Sequence, residues 1–362
     1  MTLRIQEKIQ AALKDGVFSG AQFIVASPSE IYCEVNEGMT SSLAEARPVT
    51  AGTLFDVASL TKPIVTTSVF LLLIQQKKIS LDTRVAQWIP AFAEEGKDKI
   101  TVRHLLKHTS GLPAWRPYFE EMKKEKPEWV GKDQGRQWIL EKICQEGLET
   151  PPGYQRLYSD LGFIVLGELC QVVTGERIDH FFDRELALPL NLEFSFYNPL
   201  EMPHSKSKGA FFAATESCPW RKKVLSGEVH DDNAYAMGGV AGHAGLFQTA
   251  GDCHRFVSAL TSGLKGGGFF SQDLLVEFIA PRNQIKAGWD IPSEGSQAGR
   301  YFAKGSIGHL GYTGCSVWID LDQGFHMVLF TNRVHPSRSD ERIKIWRPEL
   351  HNIAYEDFIR KG

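Results

Sequence analysis

Two strand-hairpin patterns stand near opposite ends of this chain, and they constrain its fold more than any other feature. Ala21 to Ala26 and Ile31 to Val35 are β-prone runs separated by Ser-Pro-Ser-Glu. Ser316 to Leu321 and Phe325 to Asn332 flank Asp322-Gln323-Gly324 and are rich in Val, Ile, Trp and Phe. Between them, Lys62 to Lys78, Thr101 to His108, Arg136 to Glu146 and Leu161 to Val173 carry helical spacing, with Thr101 as an N-cap and Gly111 and Pro113 as stops. A further amphipathic helix over residues 3 to 14 is marked by Leu3, Ile5, Ile9 and Leu13 and closed by Asp15-Gly16. The expected fold is therefore α+β, an α/β sandwich. An antiparallel sheet is built from N- and C-terminal strands covered by helices, beside a mainly helical subdomain.

The chain has 362 residues, more than one hydrophobic core usually serves. The expected division is 1–70 with 240–362 for the sheet-containing part and 71–239 for the mainly helical part. Stretches 195–240 and 262–305 mix Gly, Pro, Ser and charge without periodicity, and are expected to be loops framing a site. A net charge of -3 and the absence of a long basic run exclude nucleic-acid binding. The six cysteines, at 33, 144, 170, 218, 253 and 315, form no C-x-x-C pair and read as buried thiols. Met1 to Lys8 lacks the apolar run of a signal peptide, and Val69 to Ile74 is too short to cross a bilayer. A cytoplasmic protein with no integral membrane segment is expected, or a periplasmic one if a leader was trimmed.

Ser-x-x-Lys pairs a hydroxyl with an amine on one helix face, which suits an activated nucleophile. The pattern occurs at Ser59/Lys62, Ser205/Lys208 and Ser262/Lys265. Only Ser59 precedes Pro63 and a strongly apolar helix, where amide donors and the helix dipole favour an alkoxide. The other two lie in charged or Gly-rich segments that would not hold a nucleophile still. Tyr158-Ser159-Asp160 precedes the helix from Leu161 and has two readings. Asp160 is an ordinary N-cap, or Tyr158 is a general base or acid with its pKa lowered by the Lys62 ammonium. Gly308 to Gly314 (GHLGYTG) runs into the strand at Ser316, either as a plain border loop or as a backbone edge open to substrate.

In this order the three elements resemble the serine β-lactamase and penicillin-binding protein superfamily, and most closely its class C β-lactamase-like branch. The matching segments are FDVASLTK at 55–62, LLKHTSGLP at 105–113, YSDLGFIVLG at 158–167 and HLGYTG at 309–314, and the likeness spans about residues 15 to 335. The resemblance implies that Ser59 is the nucleophile, Lys62 its proton partner and Tyr158 the base that also protonates the leaving group. It implies an oxyanion hole from the backbone amides of Ser59 and Tyr312, beside Gly311. Asp160 replaces the usual Asn, a charge expected to keep Lys62 protonated. His309 stands where many relatives have Lys and is expected to titrate near pH 6.5. Carboxylate-bearing substrates should then gain as pH falls toward 6, relative to neutral esters.

Eleven histidines raise the question of a metal. His104 and His108 lack the Glu of a zincin helix, and His230, Asp231, His243 and His254 lack a compact spacing. No metal and no cofactor is expected. Cys315 reads as a strand residue, no G-x-S-x-G occurs, and Gly238 to Phe247 (GGVAGHAGLF) is expected to pack close to the site. The expected function is a serine hydrolase working through an acyl-enzyme on a small-molecule ester, peptide amide or β-lactam. A D-alanyl-D-alanine carboxypeptidase or β-lactamase proper, and a catalytically silent binding module, are the alternatives.

Overall fold

A computed structural model of the protein describes residues 2–280 and 285–360. The chain opens with helix α1 (Thr2–Lys14) and strands β1 (Gly20–Ala26), β2 (Ile31–Gly38) and β3 (Phe55–Asp56). Helices α2 (Ser68–Gln75), α3 (Val102–Leu106), α4 (Tyr118–Glu125), α5 (Asp133–Gln145), α6 (Asp160–Thr174) and α7 (Ile178–Phe182) follow. Next come β4 (Ser195–Tyr197), β5 (Ser217–Cys218), β6 (Lys223–Val224), α8 (Asp232–Ala236) and β7 (Leu246–Gln248). Helices α9 (Ala250–Leu264) and α10 (Gln272–Ile279), strands β8 (Ile307–Leu310), β9 (Ser316–Asp320) and β10 (Phe325–Thr331), and helix α11 (Ile343–Ala354) complete the order.

The two terminal hairpins meet in one antiparallel sheet of order β2-β1-β10-β9-β8. β1 pairs with β10, so that Phe23 lies opposite Leu329 and Val25 opposite Met327. The two-residue side-chain period of a strand then sorts the faces. Phe23, Val25, Met327 and Leu329 bury with Ile5, Ile9, Trp346 and Leu350 of α1 and α11. Ile24, Val328 and Phe330 bury on the other face with Phe256 and Val257 of α9. Helices on both faces explain why β1 and β10 read as continuous apolar runs. At the β9–β10 turn Asp320 Oδ1 accepts from the backbone N–H of Asp322 and Gln323 at 3.0 and 2.8 Å, and Gly324 takes φ +74°.

The expected helices are present with shifted ends. The run from Lys62 stops as Lys77 turns to φ +58°, and α3 stops before His108 at φ +56°. Residues 262–305 are not all loop: α10 lies within them, while 281–284 fall outside the described residues. Residues 195–240 hold strands of two or three residues, a 3₁₀ turn at Ser205–Ser207 and the short α8, all too brief for a periodic signal. The large core joins Ile24 and Phe330 of the sheet to α2, α5 and α6, so the sheet and the helical part share one apolar interior. Ala58–Gln75 is long and apolar enough to cross a membrane, yet 83% of it is buried in this core.

Candidate active site

Ser59 sits on a strained turn between a strand and a buried helix. β3 pairs with β7, itself paired with β4, and delivers Asp56 to the start of the turn. The Asp56 carboxylate accepts from the Ala58 N–H at 2.8 Å and from the His230 N–H at 2.6 Å. Ala58 is held at φ +47°, an uncommon backbone state for a residue with a Cβ. Ser59 then lies in a 3₁₀ turn, Ala58–Leu60, where side chains three apart eclipse. Lys62 follows as the first residue of the π-helical segment Lys62–Thr67, and its Nζ donates to Ser59 Oγ at 2.9 Å. Ser205 is exposed and Ser262 stands near the end of α9, so neither other Ser-x-x-Lys pair meets such a setting.

Lys62 is fully buried among oxygens. Besides Ser59, its ammonium meets Asp160 Oδ1 at 2.7 Å and donates to the His243 carbonyl at 3.2 Å. Burial is the largest influence and pulls the ammonium down, but Asp160 and Tyr158 together outweigh it, and the net direction is upward. Lys62 is thus a fixed cation at neutral pH, as Asp160 in place of Asn leads one to expect. Tyr158 reaches both Lys62 and Ser59 with its phenol. Its pKa does not follow the sequence expectation. Burial pushes the phenol up by more than the Lys62 ammonium pulls it down, and the Asp160 charge adds to the rise.

The LLKHTSGLP segment holds Tyr158 in place. His108 accepts the Ser159 N–H on Nδ1 at 3.0 Å and takes the Leu157 N–H on its carbonyl at 2.8 Å. Ser159 Oγ donates to the Pro113 carbonyl at 2.6 Å, and the Asp160 N–H to that of Ala114 at 2.9 Å. The His108 ring stacks on Tyr158 with centroids 4.5 Å apart. The cap of α6 is Ser159, whose hydroxyl accepts from Gly162 at 3.3 Å. Asp160 is therefore not the cap: it is the first helical residue, and its side chain goes to Lys62.

His309 departs further from expectation. It is 2% exposed on β8 and donates from Nδ1 to the Leu310 carbonyl at 2.9 Å. Burial, only partly offset by Asp290, holds its pKa at about 4. The imidazole is neutral at pH 6 and pH 7 alike, so the expected gain for carboxylate substrates toward pH 6 has no basis in this residue. Gly311 passes so near the Ser59 turn that a Cβ there would lie 2.4 Å from the Val57 carbonyl, and Thr313 Oγ1 donates to the Asp56 carbonyl at 2.6 Å. Tyr312, 52% exposed, projects beside the nucleophile.

Ser59, Tyr158 and Asp160 line a cleft of about 440 Å³ together with Trp115, Asp231 and Tyr312. The sequence offers Asp231 only as a metal ligand. It accepts from His243 Nε2 at 3.0 Å, and, although burial opposes it, the His243 and Lys62 charges hold the carboxyl well below its ordinary range. His243 comes from the GGVAGHAGLF segment and supplies the carbonyl to Lys62, while its neighbour Gly242 accepts from Thr66 at 2.6 Å. No local motif marks this role. His104 completes the capping box of α3 with the N-cap Thr101, and His254 pairs with His326 at 2.8 Å. Among the described residues no group of three or more His, Cys, Asp or Glu could hold a metal, and all six cysteines are buried thiols outside any disulfide. Burial pushes the Cys315 thiol up to about 12.

A hydroxyl on a strained turn, a buried ammonium and a phenol, set at the junction of an antiparallel sheet and a helical cover, define a serine hydrolase. The chain belongs to the Beta-lactamase family, whose sequence profile matches residues 5–349. It is 30% identical to an N-acetylmuramyl-L-alanine amidase of Bacillus subtilis (strain 168), over 92% of this chain and 81% of that protein. It is 31% identical to a protein of Escherichia coli (strain K12) named "Putative D-alanyl-D-alanine carboxypeptidase", over 80% of this chain and 71% of the other. Among solved structures it resembles EstCE1, a hydrolase with promiscuous acyltransferase activity. The TM-score is 0.74 at 20% identity, covering 96% of this chain and 97% of that one, a likeness of fold.

Proposed function

We propose that the protein is an amidase that cleaves the amide joining a muramyl-type acyl group to alanine, through an acyl-enzyme on Ser59. The observation that carries this reading is the 2.9 Å contact of Lys62 with Ser59 at the floor of a cleft lined by Trp115 and Tyr312. Exposed aromatic faces suit the apolar faces of a sugar ring, and the Asp231 and Asp232 carboxylates lining the same cleft suit its hydroxyls. The 30% identity to the Bacillus amidase supports that choice of acyl group. A simple ester such as p-nitrophenyl acetate serves as a surrogate substrate, because it needs only acyl transfer at Ser59.

The active form carries Tyr158 as phenolate beside the Lys62 ammonium. The phenolate takes the Ser59 proton while Oγ adds to the carbonyl, and Lys62 stabilises both oxyanions. The backbone N–H groups of Ser59 and Tyr312 receive the charge that develops on the carbonyl oxygen. Tyr158 then gives the proton to the leaving nitrogen as the C–N bond breaks, takes another from the water that attacks the acyl carbonyl, and returns it to Ser59 Oγ as the acyl bond breaks, which restores the phenolate.

The test is alanine release from N-acetylmuramyl-L-alanine by the wild type and by Ser59→Ala, beside a D-alanyl-D-alanine peptide, a cephalosporin and p-nitrophenyl acetate. Fastest turnover of the muramyl amide, lost in Ser59→Ala, supports the reading. Turnover of the D-alanyl peptide or the cephalosporin alone replaces it with the carboxypeptidase or β-lactamase alternative, and no turnover of any of the four favours the silent module.

A further inference from the structure

The cleft assigned to the acyl half is walled by carboxylates. Asp160, Asp231 and Asp232 line it against a single guanidinium, that of Arg338. Arg333, Lys344 and Arg347 wall a separate cavity of about 330 Å³ on the β8 side of Ser59. What an acyl group meets therefore depends on which of the three carboxylates already has its partners.

Two of them are fully engaged. Asp160 Oδ1 lies 2.7 Å from the Lys62 ammonium. Asp232 is buried, and its Oδ1 accepts from Trp220 Nε1 at 2.8 Å and from Arg221 at 2.9 Å, while its Oδ2 accepts from Arg338 at 3.2 Å. Arg338 also donates to the buried Glu216 carboxylate at 2.6 Å, so the guanidinium in the cleft wall stands between two acids. Asp231 differs. Its Oδ1 accepts from His243 Nε2 at 3.0 Å and, as the cap of α8, from the Ala234 N–H at 2.7 Å. Its Oδ2 has no partner among the described residues, although the side chain is only 24% exposed. The carboxyl is held well below its ordinary range, against the pull of burial, so it is ionised at neutral pH. A carboxylate oxygen that is half removed from water and has no donor is best satisfied by one that a ligand brings.

We propose that Asp231 Oδ2 receives a donor from the acyl half, an N–H, O–H or ammonium, and that the cleft turns away acyl groups carrying an anion of their own. This deepens the muramyl reading and rests on the Ser59 chemistry above. In a muramyl amide the carboxyl of the sugar is itself the scissile carbonyl. What enters the cleft is then uncharged and offers hydroxyls and an acetamido N–H. An acyl chain ending in a free carboxylate brings a second anion to Asp231 instead.

Three p-nitrophenyl esters test it, alike in shape and unlike in acyl charge: the 3-(aminomethyl)benzoate, the 3-methylbenzoate and the 3-carboxybenzoate. They need only acyl transfer at Ser59, and a meta substituent cannot attack its own ester. After division by the spontaneous hydroxide rates, wild type should follow the order cation, neutral, anion, with roughly 10-fold in kcat/KM at each step. Asp231→Asn keeps an acceptor for His243 and a cap for α8, and should compress the whole range to less than about threefold. Asp231→Glu should keep the order. A flat or reversed order in wild type overturns the proposal without any variant, as does an order that survives in folded Asp231→Asn. The expected order with no cleavage of N-acetylmuramyl-L-alanine keeps the Asp231 contact and removes the muramyl reading, and cleavage of that amide with a flat order does the reverse.

Discussion

Replacing Asp160 by Asn should make the enzyme work at lower pH. Asp160 lies 2.7 Å from the Lys62 ammonium. Opposite unit charges at 2.7 Å attract by about 6 kcal/mol at an effective dielectric near 20. An Asn amide restores only a dipole, so a large part of that attraction is lost, and each ~1.4 kcal/mol is tenfold in proton affinity. The sign follows from the proton count. In the wild type Asp160 raises both Lys62 and Tyr158, so the pair holds two protons at neutral pH, while the active form holds one. Without the carboxylate the second proton leaves at lower pH. The ascending limb of log kcat/KM for p-nitrophenyl acetate, followed from about pH 5 to 10, should move down by more than about one unit in Asp160→Asn. At pH 7 that amounts to roughly a 10-fold gain or more in acylation. A limb that stays in place, or moves to higher pH, would refute the proton count.

Other outcomes follow from the same geometry. Tyr158→Phe removes the only group proposed to carry the proton and should lower kcat/KM by roughly 10²- to 10⁴-fold with little change in Tm; an effect under about threefold would return the base role to Lys62. Gly311→Ala places a Cβ 2.4 Å from the Val57 carbonyl and must push Tyr312 away from the Ser59 turn. It should lower kcat by more than about 10-fold in a folded protein, and an unchanged kcat would argue against an oxyanion donor at Tyr312. Stability should fall in mild acid. Burial holds His309 at about 4 and His326 and His351 at about 3, so between pH 6.5 and roughly 4 the unfolded chain binds protons that the folded one refuses. Each histidine then costs about 1.4 kcal/mol per pH unit over that window. Tm should drop by more than about 5 °C from pH 7 to 5, and a flat Tm would contradict the buried neutral assignment.

The parts of this account that were legible in the sequence are those carried by local spacing. Ser59 and Lys62 sit three apart beside an apolar run, and Tyr158 sits two before Asp160 at a helix start. The two hairpins are marked by their turn residues, which is why the sheet from both termini could be anticipated. Features that depend on distant residues were not legible. His243 reaches Lys62 across 181 positions, and nothing near either residue announces the contact. The neutrality of His309 and the raised phenol of Tyr158 are consequences of burial, and the burial comes from packing between elements far apart in the chain. α11 carries Pro348 inside the helix, a residue that normally ends one, so the element that presents Arg347 has no clean helical signature. Ser159 takes the cap position with its hydroxyl on the Gly162 N–H, while the Asp160 carboxylate goes to the Lys62 ammonium, a partner 98 positions away that no local pattern marks.

The central claim is that Ser59 is the group acylated during turnover. The most direct measurement is intact mass followed by peptide mapping after reaction with a fluorophosphonate. The account predicts one adduct, on the peptide containing Ser59, formed in step with loss of ester hydrolysis and absent in Ser59→Ala. An adduct at any other residue, or full hydrolysis by protein labelled at Ser59, would contradict it.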